Sequence, residues 1–359
     1  MICFWVTRSG SFGIEAYRDN RGRDIADRFH VSLYEETGET ARFPACTQIY
    51  AALDRLTPQQ REIASLLYDA HARVAPHAAR LNDPRRTLRR FELLQALHAS
   101  GINAYRVYHA TEWRTVNRFP VFIRHMHDHD GPRTPLLFTR GQVFAALCGL
   151  VLKGFHRDDL MVVEFCDTSR QGMYRKLSAF NVGGRIMASH LLESRRWCVK
   201  SAHDEPNVAT LEEGLRFVHE NPHEAWLRRV FAVAHTDYGR VDYGIVDGVP
   251  QVWEINLNPT IGRAPGSSRK PAADPRVQQL REETRGAFHA QLRAAFVQLD
   301  SADPAEEVQV SIDSRMQSTV RREAAAQRRR DMFRTGARAI YDSPPFRVPA
   351  RAIARLLRP

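Results

Sequence analysis

Lysine is nearly missing from this chain. Of 52 basic residues, only Lys153, Lys176, Lys200 and Lys270 are lysine, and the other 48 are arginine. Cysteine is scarce as well. The five, Cys3, Cys46, Cys148, Cys166 and Cys198, form no CxxC pair, which argues against a disulfide scaffold or a structural zinc site. Cys148 and Cys166 sit in apolar stretches and read as small core residues. No apolar run approaches the ~20 residues that span a bilayer. The opening apolar run, Ile2 to Val6, has no basic residue before it, unlike a secretory signal, so the expected compartment is the reducing cytoplasm. What is present is ordinary for a folded protein. The 43% hydrophobic fraction excludes wholesale disorder. The length of 359 residues predicts two or three lobes.

Helical and strand signals alternate over the first two thirds. Thr57-Pro58-Gln59-Gln60 reads as a helix start with a capping box. Asp83-Pro84 opens a second helix, with Leu88, Phe91, Leu94 and Leu97 at every third position and Gly101 closing it. Pro120 to Arg124 reads as a buried strand. A third helix starts at Thr139, with Gln142 in capping-box register, and stops at Gly154. Leu160 to Phe165 is a strand. Gly183-Gly184 and Asp247-Gly248 are strong hairpin signals between strand-like runs. The pattern predicts an α/β or α+β core with a largely antiparallel sheet in its second half. Residues 266–271 look like a linker, and a helix is expected from Pro275 to Leu299. An Arg-rich tail follows.

The segment Gly239 to Pro259 carries the most chemistry. Glu254 and Asn256 are two apart on a strand otherwise made of Val252, Trp253 and Ile255, so they share one face. A carboxylate in that setting must be paired or bind a metal. Asp242 lies on the other arm of the hairpin, and the three supply hard oxygen donors suited to magnesium. A plain two-residue turn would set Asp242 opposite Trp253 and put Glu254 on the other face. A three-residue loop, or an equivalent bulge, restores the shared face, and one of these is predicted. The competing interpretation is an acidic surface hairpin with an Asn-Pro helix cap.

With Asp242, Glu254 twelve residues on, then Asn256 and Pro259, the chain resembles the ATP-grasp superfamily. It is similar to carboxylate-amine ligases of the ribosomal-protein glutamate ligase type, over about residues 82–262. The resemblance implies an ATP-grasp fold, in which two lobes clasp ATP. A small α/β lobe would precede them (1–84), followed by a first ATP-grasp lobe with its linking helix (85–165) and a second lobe with the metal site (166–265). A helical, basic C-terminal extension (266–359) would complete the chain. The resemblance also implies that Asp242, Glu254 and Asn256 hold two magnesium ions on the phosphates of ATP. Arg124, ending its strand, would reach the phosphates. Glu164, Phe165 and Cys166 would rim the adenine pocket. Lys176, in the run before the first hairpin, and Lys200 stand out because the chain otherwise uses arginine, which suggests that a compact point charge is needed there. Arg185, just after the hairpin, would face an acyl-phosphate.

The implied activity is an ATP-dependent, ADP-forming ligase. It would join a small-molecule or peptide carboxylate to an amine or thiol through an acyl-phosphate. Two departures stand beside the resemblance. The segment between the Arg124 strand and the Thr139 helix, His125-Met-His-Asp-His-Asp-Gly-Pro-Arg133, holds one glycine where many members have a glycine-rich loop. Ser178 stands where related ligases carry arginine. His125, His127 and His129 alternate, which also invites a transition-metal reading. A polar loop with Asp128 and His129 facing phosphate or substrate is the preferred one.

Two rivals remain open. One is a nucleotide-binding regulator on the same fold without ligase activity. The other is a nucleic-acid or anionic-membrane binder driven by the tail. Residues 315–359 hold twelve arginines against three acids. The tail therefore carries +9 of the net +11, and the body is close to neutral. Ala350 to Arg358 has the pattern of a short basic amphipathic helix suited to an anionic surface.

Overall fold

The computed structural model describes residues 1–128, 130–199, 207–261, 274–300 and 306–341. The chain opens with β1 (Ile2–Val6), α1 (Phe12–Asp19), β2 (Phe29–Leu33), β3 (Thr40–Pro44) and β4 (Thr47–Tyr50). Then come α2 (Pro58–Val74), β5 (Arg80–Leu81), α3 (Arg90–Ala99), β6 (Val107–His109) and β7 (Val121–His125). The middle holds α4 (Arg140–Leu152), β8 (Leu160–Glu164), β9 (Ser169–Arg170), β10 (Met173–Val182) and β11 (Arg185–Ser194). It continues through α5 (Val208–Glu220), α6 (Glu224–Ala234), β12 (Tyr238–Val246) and β13 (Val249–Asn256). The last elements are α7 (Pro275–Leu299), β14 (Glu307–Ser311) and α8 (Ser314–Tyr341). The fold is mixed α/β. Its contacts divide it into two compact units, residues 1–103 with 167–318, and residues 104–166 with 319–359.

The first unit contains two main sheets. The parallel one has the order β2-β1-β4-β5. Every residue of β1 is buried, as expected of a parallel strand covered on both faces. Phe4 meets Phe29, Tyr238 and Phe296 at ring distances of 6.0, 5.4 and 5.9 Å. The second sheet is antiparallel, with the order β11-β10-β12-β13 and β9 paired to the start of β10. Helix α7 serves both sheets. Phe288 packs on Phe180 of β10 at 4.9 Å, and two turns later Phe296 packs on Phe4 and Phe29. Asn82, fully buried, links the sheets by hydrogen bonds. Its Nδ2 donates to the carbonyls of Tyr50 and Tyr238, and its Oδ1 accepts from the N–H groups of Asp237 and Tyr238. A separate ribbon pairs β14 with β3.

The second unit holds the antiparallel sheet β6-β8-β7. Helix α4 packs Val143, Leu147 and Leu150 against Val121, Ile123 and Val162.

Local signals explain many boundaries. Thr57 and Gln60 form the reciprocal capping box of α2, and Thr139 accepts from the Gln142 N–H at the start of α4. Asp247 and Gly248 both have positive φ, 49° and 81°, the signature of a two-residue type I′ hairpin. Helix α3 begins at Arg90, later than the Asp83-Pro84 signal predicts. Asp83 instead accepts from the Arg85 N–H in a turn, and the Leu88 N–H donates to Ala234 O outside any helix. The buried cysteines are Cys3 and Cys46, whereas Cys148 is exposed and Cys166 half-buried. Cys148 lies on the outer side of α4, so its apolar sequence neighbourhood misleads. Among the described residues, no helix is long and apolar enough to cross a membrane. The linker at 266–271 and the segment Ala350 to Arg358 lie outside the described residues.

Candidate active site

The β12–β13 hairpin resolves the face question. Its two-residue loop sets Val246 opposite Val249 and Tyr243 opposite Val252. The register then shifts, and Asp242 faces Glu254. Trp253 is the extra residue of a β-bulge. The bulge has a fixed partner in the Asn103 side chain, which is buried. Its Nδ2 donates to Val252 O and its Oδ1 accepts from Val252 N–H, each at 2.9 Å. Asn103 thus holds edge strand β13 one residue from the irregularity.

Directly opposed residues of neighbouring strands share a face. Following the register across the sheet gives one polar row: His190 on β11, Ser178 on β10, Asp242 on β12 and Glu254 on β13. The next row on that face is Phe180, Arg240 and Asn256. Lys176 precedes Ser178 by two and joins the same face. The opposite face is apolar, with Leu177, Tyr243 and Val252 in register.

The polar row is densely bonded. Arg240 grips Asp242 with both fork nitrogens, Nε to Oδ1 at 2.9 Å and Nη2 to Oδ2 at 3.2 Å. Lys176 Nζ donates to Oδ2 at 3.2 Å and Ser178 Oγ to Oδ1 at 2.8 Å. Helix α3 presents its first residue, Arg90, whose Nη2 donates to Glu254 Oε2 at 2.8 Å. Asn256 Oδ1 accepts from the Asn258 N–H. Three cations thus meet two carboxylates, an excess of positive charge at a buried site.

Burial works to raise the pKa of Asp242. Arg240, and then Lys176, outweigh it and hold the carboxyl below its ordinary value. Asp242 raises the pKa of Arg240 in turn, against the burial that lowers it. For His190, burial first, then Arg240 and Lys176, push the pKa from 6.5 down to about 3, so the ring is neutral at pH 7.

The structure therefore brings together Asp242, Glu254, Asn256 and Lys176. It does not bring Arg185 to them. Arg185 pairs with Val182 at the end of the β10–β11 hairpin, four residues beyond Ser178 and so roughly 13 Å further along the strand. Its proximity in sequence to the hairpin runs away from the polar row. Lys200 and His129 lie outside the described residues. Arg124, Glu164, Phe165 and Cys166 belong to the second unit. Arg124 is half-buried on β7. Glu164 is buried, accepting from Tyr108 Oη at 2.8 Å and from the Arg106 N–H at 2.9 Å. The Phe165 N–H donates to Pro120 O. Glu164 and the Phe165 amide thus have internal partners. In the histidine segment, His125 and His127 rings meet edge to face at 5.8 Å, and Arg133 pairs with Asp128 and Asp130. Among the described residues, no group of three or more His, Cys, Asp and Glu is placed to hold a metal.

Sequence reasoning missed Arg90, Arg240, His190 and Asn103. Only Arg240 had a local signal: it is two before Asp242 on the same strand and so shares its face.

The donor chemistry of Asp242, Glu254 and Asn256 fits magnesium: hard oxygens, on one face, on adjacent strands. Arg240, Lys176 and Arg90 balance the two carboxylates. Their positive charge matches an arriving polyphosphate.

No family model matches the chain, and no curated protein does. Among solved structures it is similar to D-alanyl-alanine synthetase A from Vibrio cholerae, with 12% identity, coverage of 83% of this chain and 97% of that one, and a TM-score of 0.46. It is similar to a RimK domain protein ATP-grasp from Sphaerobacter thermophilus, with 14% identity, 81% and 99% coverage, and a TM-score of 0.40. It is also similar to the ATP-grasp ligase PsnB in complex with its precursor peptide and AMPPNP, with 11% identity, 79% and 97% coverage, and a TM-score of 0.43.

Proposed function

We propose that the chain is an ATP-grasp ligase that uses ATP to join a carboxylate to an amine or thiol, releasing ADP and phosphate. The observation that carries this reading is the pairing of Asp242 with Glu254 across the bulge, with Arg240, Lys176 and Arg90 bonded to them. Asp242, Glu254 and Asn256 are the residues that would hold magnesium. Bound there, it would neutralise charge on the phosphates. Arg240 and Lys176 supply fixed positive charge where the transferred phosphoryl group accumulates negative charge. Arg90 orients Glu254. Neutral His190 lies beside Ser178 and adds no charge. The substrate carboxylate would attack the γ-phosphorus and ADP would leave. The amine or thiol would then displace phosphate from the acyl-phosphate. Such chemistry needs positioning and charge, not a nucleophilic side chain. Arg124 in the second unit is proposed as a further phosphate contact, and the backbone around Glu164 to Cys166 as an adenine contact.

The test is magnesium-dependent ADP release against a panel of carboxylates and amines. The wild-type chain should release ADP with at least one pair, and Glu254→Gln should lower the rate by about 10² or more. Equal rates for the two would sink the assignment.

A second reading has its own support. Both Asp242 oxygens already accept two donors each, which uses all the lone-pair directions of a carboxylate. That saturation suits a nucleotide-binding regulator that takes phosphates on Arg240 and Lys176 without metal-assisted turnover. Calorimetry with ADP separates the two: magnesium should tighten binding for the ligase and leave it unchanged for the regulator.

A further inference from the structure

The β10–β11 hairpin has a second polar feature at its far end. A cavity of about 690 Å³ opens there between the hairpin turn, the end of α5, the start of α6 and the last turns of α7. That volume is within the range of small-molecule sites, ~300–1,000 Å³.

The walls are fastened to one another. Arg228 Nη1 donates to Gly184 O at 3.2 Å, and Asn221 Nδ2 donates to Ile186 O at 2.9 Å, tying both helices to the hairpin. Gly183 has φ of +61°, and a Cβ there would lie 2.6 Å from Leu299 of α7. The turn thus closes against α7 only because it lacks a side chain. A cavity with walls fixed in this way needs little reordering to accept a ligand.

Its charges divide into one ion pair and two charges that are not paired within the described residues. Arg228 is paired with Glu224 at 2.7 Å. Arg185 and Glu220 also line the cavity, and among the described residues neither side chain has an ion-pair or hydrogen-bond partner. Gln298, from α7, likewise has no side-chain partner and adds an amide that both donates and accepts. A lone guanidinium matches a carboxylate in fork geometry, and a lone carboxylate matches an ammonium.

We propose that this cavity binds a small zwitterion, an amino acid or short peptide carrying a free ammonium and a free carboxylate. Arg185 takes the carboxylate and Glu220 the ammonium. The site is separate from the Asp242 row, and its occupancy does not depend on that row's function.

The test is titration calorimetry on the full chain with L-alanine, L-glutamate, L-lysine and glycylglycine, each beside its N-acetyl and carboxamide forms. At least one zwitterion should bind with a Kd under about 1 mM, and blocking either end should weaken it about tenfold. Arg185→Ala and Glu220→Gln should each weaken it to a similar degree. Both side chains are exposed, so unchanged thermal midpoints will show that the variants fold. Glu254→Gln should leave this binding intact, because it acts at the other site. Three results overturn the proposal. They are no saturable binding by any zwitterion, binding that persists in both cavity variants, and binding lost in Glu254→Gln but not in Arg185→Ala.

Discussion

Strands β1 and β10 are both central, and most of each is buried, but their neighbours differ in kind. Around β1 the burial is aromatic: Phe4 and Trp5 meet Phe29, Phe43, Tyr50, Tyr238 and Phe296. Around β10 one face is apolar and the other carries Lys176 and Ser178, bonded to Asp242 and close to Arg240. Burying apolar area is favourable by itself. Burying charge is costly unless geometry is exact enough for the partners to repay desolvation. The parallel sheet therefore reads as a foundation. The polar row is a place where stability depends on every partner being present, which is the condition expected of a site.

Breaking one member on each side tests that contrast. Asp242→Ala leaves Arg240 and Lys176 without their counter-charge and should cost about 3–5 kcal/mol. Phe4→Ala should cost a similar amount, about 3–5 kcal/mol, through an apolar cavity. Urea denaturation measures both. The distinction is in salt and ligand dependence. ADP should no longer raise the thermal midpoint of Asp242→Ala, whereas it should still raise that of Phe4→Ala.

A milder change probes the register. Asn103→Ala removes both bonds to Val252 and should cost about 1–3 kcal/mol by leaving buried backbone groups unpaired. It should also loosen the Asp242–Glu254 pairing, visible as faster amide exchange in β13.

Acid acts on both sides through histidines held neutral. His190 is held neutral, with its pKa lowered from 6.5 to about 3. The unfolded chain therefore takes up that proton first as pH falls. Its stabilising contribution is complete above pH 6.5 and drains away between 6.5 and about 3. Buried His71 and half-buried His289, each lowered to about 4 chiefly by loss of solvent, act in the same sense. Urea midpoints measured from pH 7.5 to 4.5 should fall with a slope that His190→Gln reduces.

The smallest effect on the folded body is expected from the tail. Arg321, Arg322, Arg328, Arg329 and Arg330 are exposed on α8. Deleting the residues after Ser314 should change the stability of the first unit by no more than about 1 kcal/mol, measured by urea denaturation. If the tail has a binding task, the deletion should abolish salt-sensitive retention on anionic vesicles or RNA.

Much of this was legible locally. The capping box of α2, the Thr139 cap of α4, the paired dipeptides of the two hairpins and the bounds of α7 rest on signals within a few residues. So does the shared face of Glu254 and Asn256. Arg90 could not be read in the same way, because it lies 164 residues from Glu254 in sequence and looks like one more arginine at a helix start. Asn103 is a similar case, 149 residues from Val252. Arg185 is a different case: it stands at the hairpin turn, four residues along the strand from Ser178, a separation that a resemblance in sequence does not display. Periodicity predicts which face a residue occupies, but not which distant element lies over that face.

The Asn103 clamp has a practical consequence for the β12–β13 loop. It grips Val252, on the strand side of the turn, so the alignment of Asp242 with Glu254 is set behind the loop and not by it. The Asp247–Gly248 turn is then free to vary in length, in the way a handle can be changed without moving the blade. A peptide tag or a spectroscopic label inserted there should report on β13 while leaving the two carboxylates facing each other.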